Sequence, residues 1–136
     1  MREELKAAGW THDVPAGFIG HIGGLWVRKH NEALQFGFFA EQVHSNRNGA
    51  VHGGMLMTFI DRAFGQTVRE TTGAPLSATI SLAHQFMAPL EIGEFASITP
   101  RVPKVTSRLA FVEGTIFVDD RAILSAQGIW RFSKPD

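Results

Sequence analysis

The chain has 136 residues, 44% of them hydrophobic, with 13 Lys plus Arg against 13 Asp plus Glu and no cysteine. That length and apolar share suit one domain with a real core. Zero formal charge speaks against a dedicated nucleic-acid binder, and the missing cysteines exclude disulfides, thiolate metal sites and a Cys nucleophile. In chain order, residues 2–8 predict one or two helical turns ended by Gly9, after a charged amino end with no secretory or membrane-spanning apolar run. A cytoplasmic protein is the default expectation. Residues 10–24 hold Pro15, Gly17, Gly20, Gly23 and Gly24 and read as a loop or irregular cover. Leu25 to His30 and Ala33 to Phe39 read as strands joined tightly at Asn31-Glu32, and Asn46 to Gly49 reads as a turn. Met55, Leu56, Phe59, Ile60, Ala63, Phe64 and Val68 then recur at helical spacing, until Gly73-Ala74-Pro75. Strand-like runs follow at Ser77 to Met87, Phe95 to Val105, Leu109 to Val118 and Arg121 to Phe132. Asp119-Asp120 fits a hairpin turn, and Pro103 a bulge or edge position. One long helix must cover the sheet's apolar face, so an α+β architecture with an antiparallel sheet wrapped around that helix is expected. The whole chain, 1–136, is read as a single domain, with 1–20 as an extension or cover.

The chemistry concentrates in Asn46-Arg47-Asn48-Gly49-Ala50-Val51-His52-Gly53-Gly54 and the helix behind it, which carries Asp61. A helix start offers unpaired N–H groups that can hold a developing negative oxygen. A nearby carboxylate can attack a carbonyl or activate a water. Together these point to acyl transfer to water. Asp61 shares a helix stripe with Gly54, Thr58 and Gly65, small neighbours that admit another chain or a ligand. His52 can either fix the loop or touch substrate. Lys104, Arg108 and Arg62 are candidate contacts for a phosphate-bearing ligand. Six histidines show no paired metal spacing, and no Gly-x-Ser-x-Gly or P-loop signature is present.

The element order and the spacing of Asn46, Gly49, His52, Gly53, Gly54 and Asp61 resemble the hotdog-fold acyl-CoA thioesterases of the phenylacetate-pathway and 4-hydroxybenzoyl-CoA thioesterase type. The resemblance runs over roughly residues 20 to 133, with a looser match around Met87 to Glu94. It implies a hotdog fold, and hydrolysis of aryl- or fatty-acyl-CoA thioesters to free acid and coenzyme A. It implies that Gly53 gives its N–H to the thioester oxygen, that Asp61 is nucleophile or general base, and that Asn46 contacts the thioester or the water. Thr79 takes the assisting strand position. Gly54 joins His52 on the substrate side. The resemblance further implies no metal and no cofactor, and a homodimer with sites shared between chains, pairing into a homotetramer. Two other functions fit such a fold. One is a hotdog dehydratase or hydratase, against which Gln66 stands where an Asp-x-x-x-x-His pattern needs histidine. The other is a non-catalytic acyl-CoA-binding module.

Overall fold

The computed structural model describes residues 1–133. Its elements are α1 (Arg2–Ala7), β1 (Thr11–Asp13), α2 (Phe18–His21), β2 (Leu25–His30), β3 (Ala33–Phe39), a 3-10 turn (Gln42–His44), α3 (Gly53–Thr72), β4 (Leu76–Phe86), β5 (Phe95–Ile98), β6 (Arg101–Val105), β7 (Leu109–Val118) and β8 (Arg121–Ser133). The β2–β3 connection places Asn31 and Glu32 at φ 52° and 65°, which suits the twist of a two-residue hairpin. Asp119, at φ 53°, serves the β7–β8 turn, where Val118 pairs with Arg121.

The strands form one antiparallel sheet in the order β1-β2-β3-β5-β7-β8-β4, with β6 paired to β7 off this path. Two expectations change here. The span from 10 to 24 is not all loop: β1 pairs with β2 in register Thr11↔Val27, and α2 lies between glycine-rich connections. The run from Phe95 to Val105 is two strands, because the chain breaks at Thr99-Pro100, and both halves lie beside β7. Pro103 falls in the register shift between Arg101 and Lys104 on β6, as a proline in a sheet requires.

Helix α3 spans 20 residues and ends at Gly73, whose φ of 72° is the left-handed conformation of a helix C-cap. Its side chains Phe59, Ile60, Ala63, Phe64 and Val68 are fully buried against the inward residues of the strands, among them Phe36, Phe38, Ile98, Ile116, Leu124 and Trp130. Each large apolar side chain so buried contributes on the order of 1.5–3 kcal/mol. Among the described residues no helix is long and apolar enough to cross a membrane. Strand β4 is a sheet edge and stays largely exposed, with Leu76, Ile80 and Phe86 each more than half open. The alternation of β4 against β8 turns Ser77, Thr79, Leu82, His84 and Phe86 to the same side as the inward Phe132, Trp130, Gly128, Ala126 and Leu124. That side faces α3, so β4 and the helix form the two walls of the candidate site.

Candidate active site

The loop before α3 is held mainly by its own side chains. Asn46 Oδ1 accepts from the backbone N–H groups of Asn48 at 2.8 Å and Ala50 at 3.1 Å. Its backbone is locked as well, since Asn46 N–H donates to the Ala50 carbonyl at 2.7 Å. The turn therefore uses the acceptor half of the Asn46 amide. His52 is the N-cap of α3, and its Nδ1 accepts from Gly54 N–H at 2.8 Å. An accepting Nδ1 carries no proton, so the neutral ring bears its hydrogen on Nε2.

These contacts sort the donors at the helix start. Gly54 N–H is taken by His52, and Met55 N–H donates to the His52 carbonyl at 2.9 Å. Gly53 N–H has no partner among the described residues. One free donor thus stands at the positive end of a 20-residue helix. A Cβ on Gly53 would stand 3.3 Å from Phe86 Cε1, so the ring at the end of β4 already covers this glycine closely.

Two turns along, Asp61 is exposed and accepts a hydrogen bond from the Thr79 hydroxyl at 2.6 Å. Two cavities meet at this carboxylate. The first, about 510 Å³, is lined mainly by Phe18, Ile19, Met57, Leu82 and His84, and is largely apolar. The second, about 230 Å³, is polar and holds Arg62, Arg69, Ser77 and Thr79. A third, about 430 Å³, lies at the helix start beside His52 and Gly54 and shares Phe18 and Thr58 with the apolar one. His84 has an Nε2 that is buried without a partner among the described residues, and burial holds its imidazole below the ordinary value against the opposing pull of Asp61. A larger cleft of about 580 Å³ lies elsewhere, on the outer face of the sheet around Ser97, Thr115, Ser125 and Gln127.

The structure therefore brings Asp61, Thr79 and Arg62 together and sets Gly53, Gly54 and His52 at the helix start. Arg62 also makes a 3.4 Å ion pair with Asp13 of β1. Lys104 and Arg108 are exposed on β6 and the turn after it and line none of the cavities at Asp61. Of the large apolar side chains on α3 and β4, Met55, Phe59 and Phe64 are core, whereas Met57 borders Asp61 and Phe86 covers Gly53. Phe18, Leu82 and His84 escape the sequence reading. The inward register of β4 is the signal that finds the last two. Among the described residues no three His, Asp or Glu side chains converge as a metal site would require.

One antiparallel sheet wrapped on a single long helix is the hotdog architecture. The chain belongs to the thioesterase superfamily, which it matches over residues 48–125. It is 28% identical over 91 residues to a Pseudomonas aeruginosa protein provisionally named an esterase, a match covering 66% of this chain and 68% of that one. It is 28% identical over 88 residues to acyl-coenzyme A thioesterase 13 of Mus musculus, covering 65% of this chain and 63% of the mouse protein. The chain thus spans about two thirds of the length of these relatives. Its fold resembles that of a phenylacetic acid degradation-related protein from Ralstonia eutropha, provisionally named a thioesterase. The TM-score is 0.76 at 22% identity, covering 96% of this chain and 97% of that one.

Proposed function

We propose that the chain hydrolyses acyl-CoA thioesters to free acid and coenzyme A. The observation that carries this reading is the division of labour on α3: Gly53 keeps an unclaimed N–H at the helix start, and Asp61 is a carboxylate oriented by Thr79. The thioester oxygen accepts from Gly53 N–H, where the helix dipole and the free donor stabilise the negative charge of the tetrahedral state. Asp61 then acts in one of two ways. As a base it takes a proton from a water whose oxygen adds to the carbonyl carbon. As a nucleophile its own oxygen adds, giving a mixed anhydride that water hydrolyses. In both, the carbon–sulfur bond breaks with its electron pair going to sulfur; the thiolate takes up the proton that Asp61 removed from water in the base route, and one released by the water that hydrolyses the anhydride in the nucleophile route. A single turnover in heavy-oxygen water distinguishes them, since only the nucleophile route carries label into Asp61.

Both groups on one helix cannot serve one thioester. Eight residues separate them, about 12 Å of rise, and the N–H groups of a helix start point away from the helix body, and so away from Asp61. An oxyanion held about 3 Å from its donor would lie beyond reach of the carboxylate on the same chain. A two-fold partner whose helix runs the other way offers its Asp61 to this Gly53, and the reverse. The open apolar side chains Met57 and Phe86 along this face support such pairing. Asn46 lies beside the helix start and contributes its amide N–H₂ to the thioester or the water, its oxygen being occupied by the turn. Pairing of two dimers into a tetramer is the further expectation, read by a sizing measurement in solution.

The test is thiol release from a panel of aryl-, short-chain and long-chain acyl-CoAs. Steady turnover on at least one class is expected. Binding of acyl-CoA with no thiol release across the panel would instead make the chain a binding module.

A further inference from the structure

The small cavity on the far side of Asp61 from the apolar one has the Asp61 carboxylate at one end and five side chains with N–H or O–H groups around the rest. Arg62 and Arg69 both reach it, with Ser77, Thr79 and Trp130. Arg62 has Asp13 as its partner at 3.4 Å, but no carboxylate among the described residues lies within 4 Å of Arg69. The Arg69 guanidinium donates only to Ser77 Oγ, at 3.2 Å, and that hydroxyl passes its own hydrogen to the Gly65 carbonyl. Trp130 borders the cavity, 2% exposed as a whole residue, and no hydrogen bond from its indole N–H is made among the described residues. Gly65 leaves the space open: a Cβ there would stand 3.3 Å from Trp130 Nε1 and 3.6 Å from Arg69 Nη1. Burial and the charge of Arg62 both press against the charged form of Arg69, so this cation sits in a place that does not favour it.

A half-buried guanidinium whose one hydrogen bond goes to a neutral hydroxyl, beside an indole N–H that borders the cavity, leaves room for one anion at the end of the cavity away from Asp61. Its distance from the reacting centre selects which anion. Arg69 bends back to the level of Gly65, one helical turn or about 6 Å of rise beyond Asp61. A carboxylate three or four carbons from a thioester carbonyl spans that gap. The phosphates of coenzyme A lie at the far end of the pantetheine arm, well over twice as far from the sulfur.

We propose that Arg69, held by Ser77 and flanked by Trp130 Nε1, is a subsite for a terminal carboxylate on the acyl group, so that the substrates include dicarboxylic acyl-CoA thioesters. This rests on the acyl-CoA hydrolase reading above. The test compares glutaryl-CoA with pentanoyl-CoA, which differ by that carboxylate alone. The wild type should favour glutaryl-CoA in kcat/KM, and Arg69→Gln should cut the ratio of the two by about tenfold or more, with partial recovery in Arg69→Lys. An unchanged ratio overturns the proposal. So does an equal loss on both substrates that disappears with N-acetylcysteamine thioesters, since Arg69 would then be reading the coenzyme. If the wild type releases thiol from no acyl-CoA, the parent reading fails by itself. The subsite is then decided by calorimetry with free glutarate against pentanoate: selective glutarate binding lost in Arg69→Gln supports it, and no selectivity overturns it.

Discussion

Thr79 on the edge strand β4 donates its hydroxyl hydrogen to Asp61 Oδ1 on α3 across 2.6 Å, joining residues 18 apart in sequence. The bond fixes one oxygen of the carboxylate and leaves the other to face the cavities. Asp61→Ala should lower turnover by at least ~10²-fold with the melting temperature nearly unchanged, because the side chain is exposed and its loss leaves no buried gap. Thr79→Val should cost less, about tenfold, since it removes the orienting donor and not the reacting group, and Thr79→Ser should recover most of it. Turnover numbers beside melting curves check the series; wild-type turnover in Asp61→Ala would remove this residue from the mechanism.

Gly53 and Gly54 should separate kinetically from structurally. Gly53→Pro deletes the free N–H at a helix position where proline is tolerated. A loss in kcat on the order of 10²–10³-fold is expected. Gly54→Ala would place a Cβ 2.9 Å from His52 Nδ1 and push the cap aside. Its expected mark is a stability loss of about 1 kcal/mol in denaturant unfolding. A folded Gly53→Pro protein with normal kinetics would move the oxyanion to another donor.

Complementation reads the shared site directly. Chains carrying Asp61→Ala and chains carrying Gly53→Pro are each inactive as homodimers. In a mixed dimer one site collects both lesions and the other has neither, so about half of the wild-type activity per dimer should return by symmetry. Two affinity tags isolate the mixed species. A pure, folded mixed dimer with no activity refutes sharing while leaving the hydrolase reading intact.

Burial holds His84 below the ordinary imidazole value of 6.5. Between its folded value and that figure, the unfolded chain binds a proton that the folded chain refuses. Stability from this residue is therefore complete above about pH 6.5 and falls as the solution becomes more acid. The melting temperature of His84→Phe should decline less steeply from pH 6.5 to 5 than that of the wild type. Identical slopes would show that His84 titrates as it does in water.

The sequence by itself determined what depends on near neighbours. The β2–β3 hairpin, the length of α3 and its Gly73 stop, the β7–β8 hairpin and the motif from Asn46 to Asp61 are all set by turn chemistry and by periods of two or 3.6 residues, which act over a few positions. The same locality hid β1 and α2, because Pro15 and the glycines around them look like loop and three residues of strand carry too short a period to read. Only the tertiary structure decided the rest. It placed β4 at the sheet edge with Thr79 against Asp61, and gathered Arg69, Ser77 and Trp130 from α3, β4 and β8 around one cavity. Such contacts join residues far apart in the chain, and they follow from which strand packs beside which and in what register, a choice made by burial of the whole core and not by any local pattern.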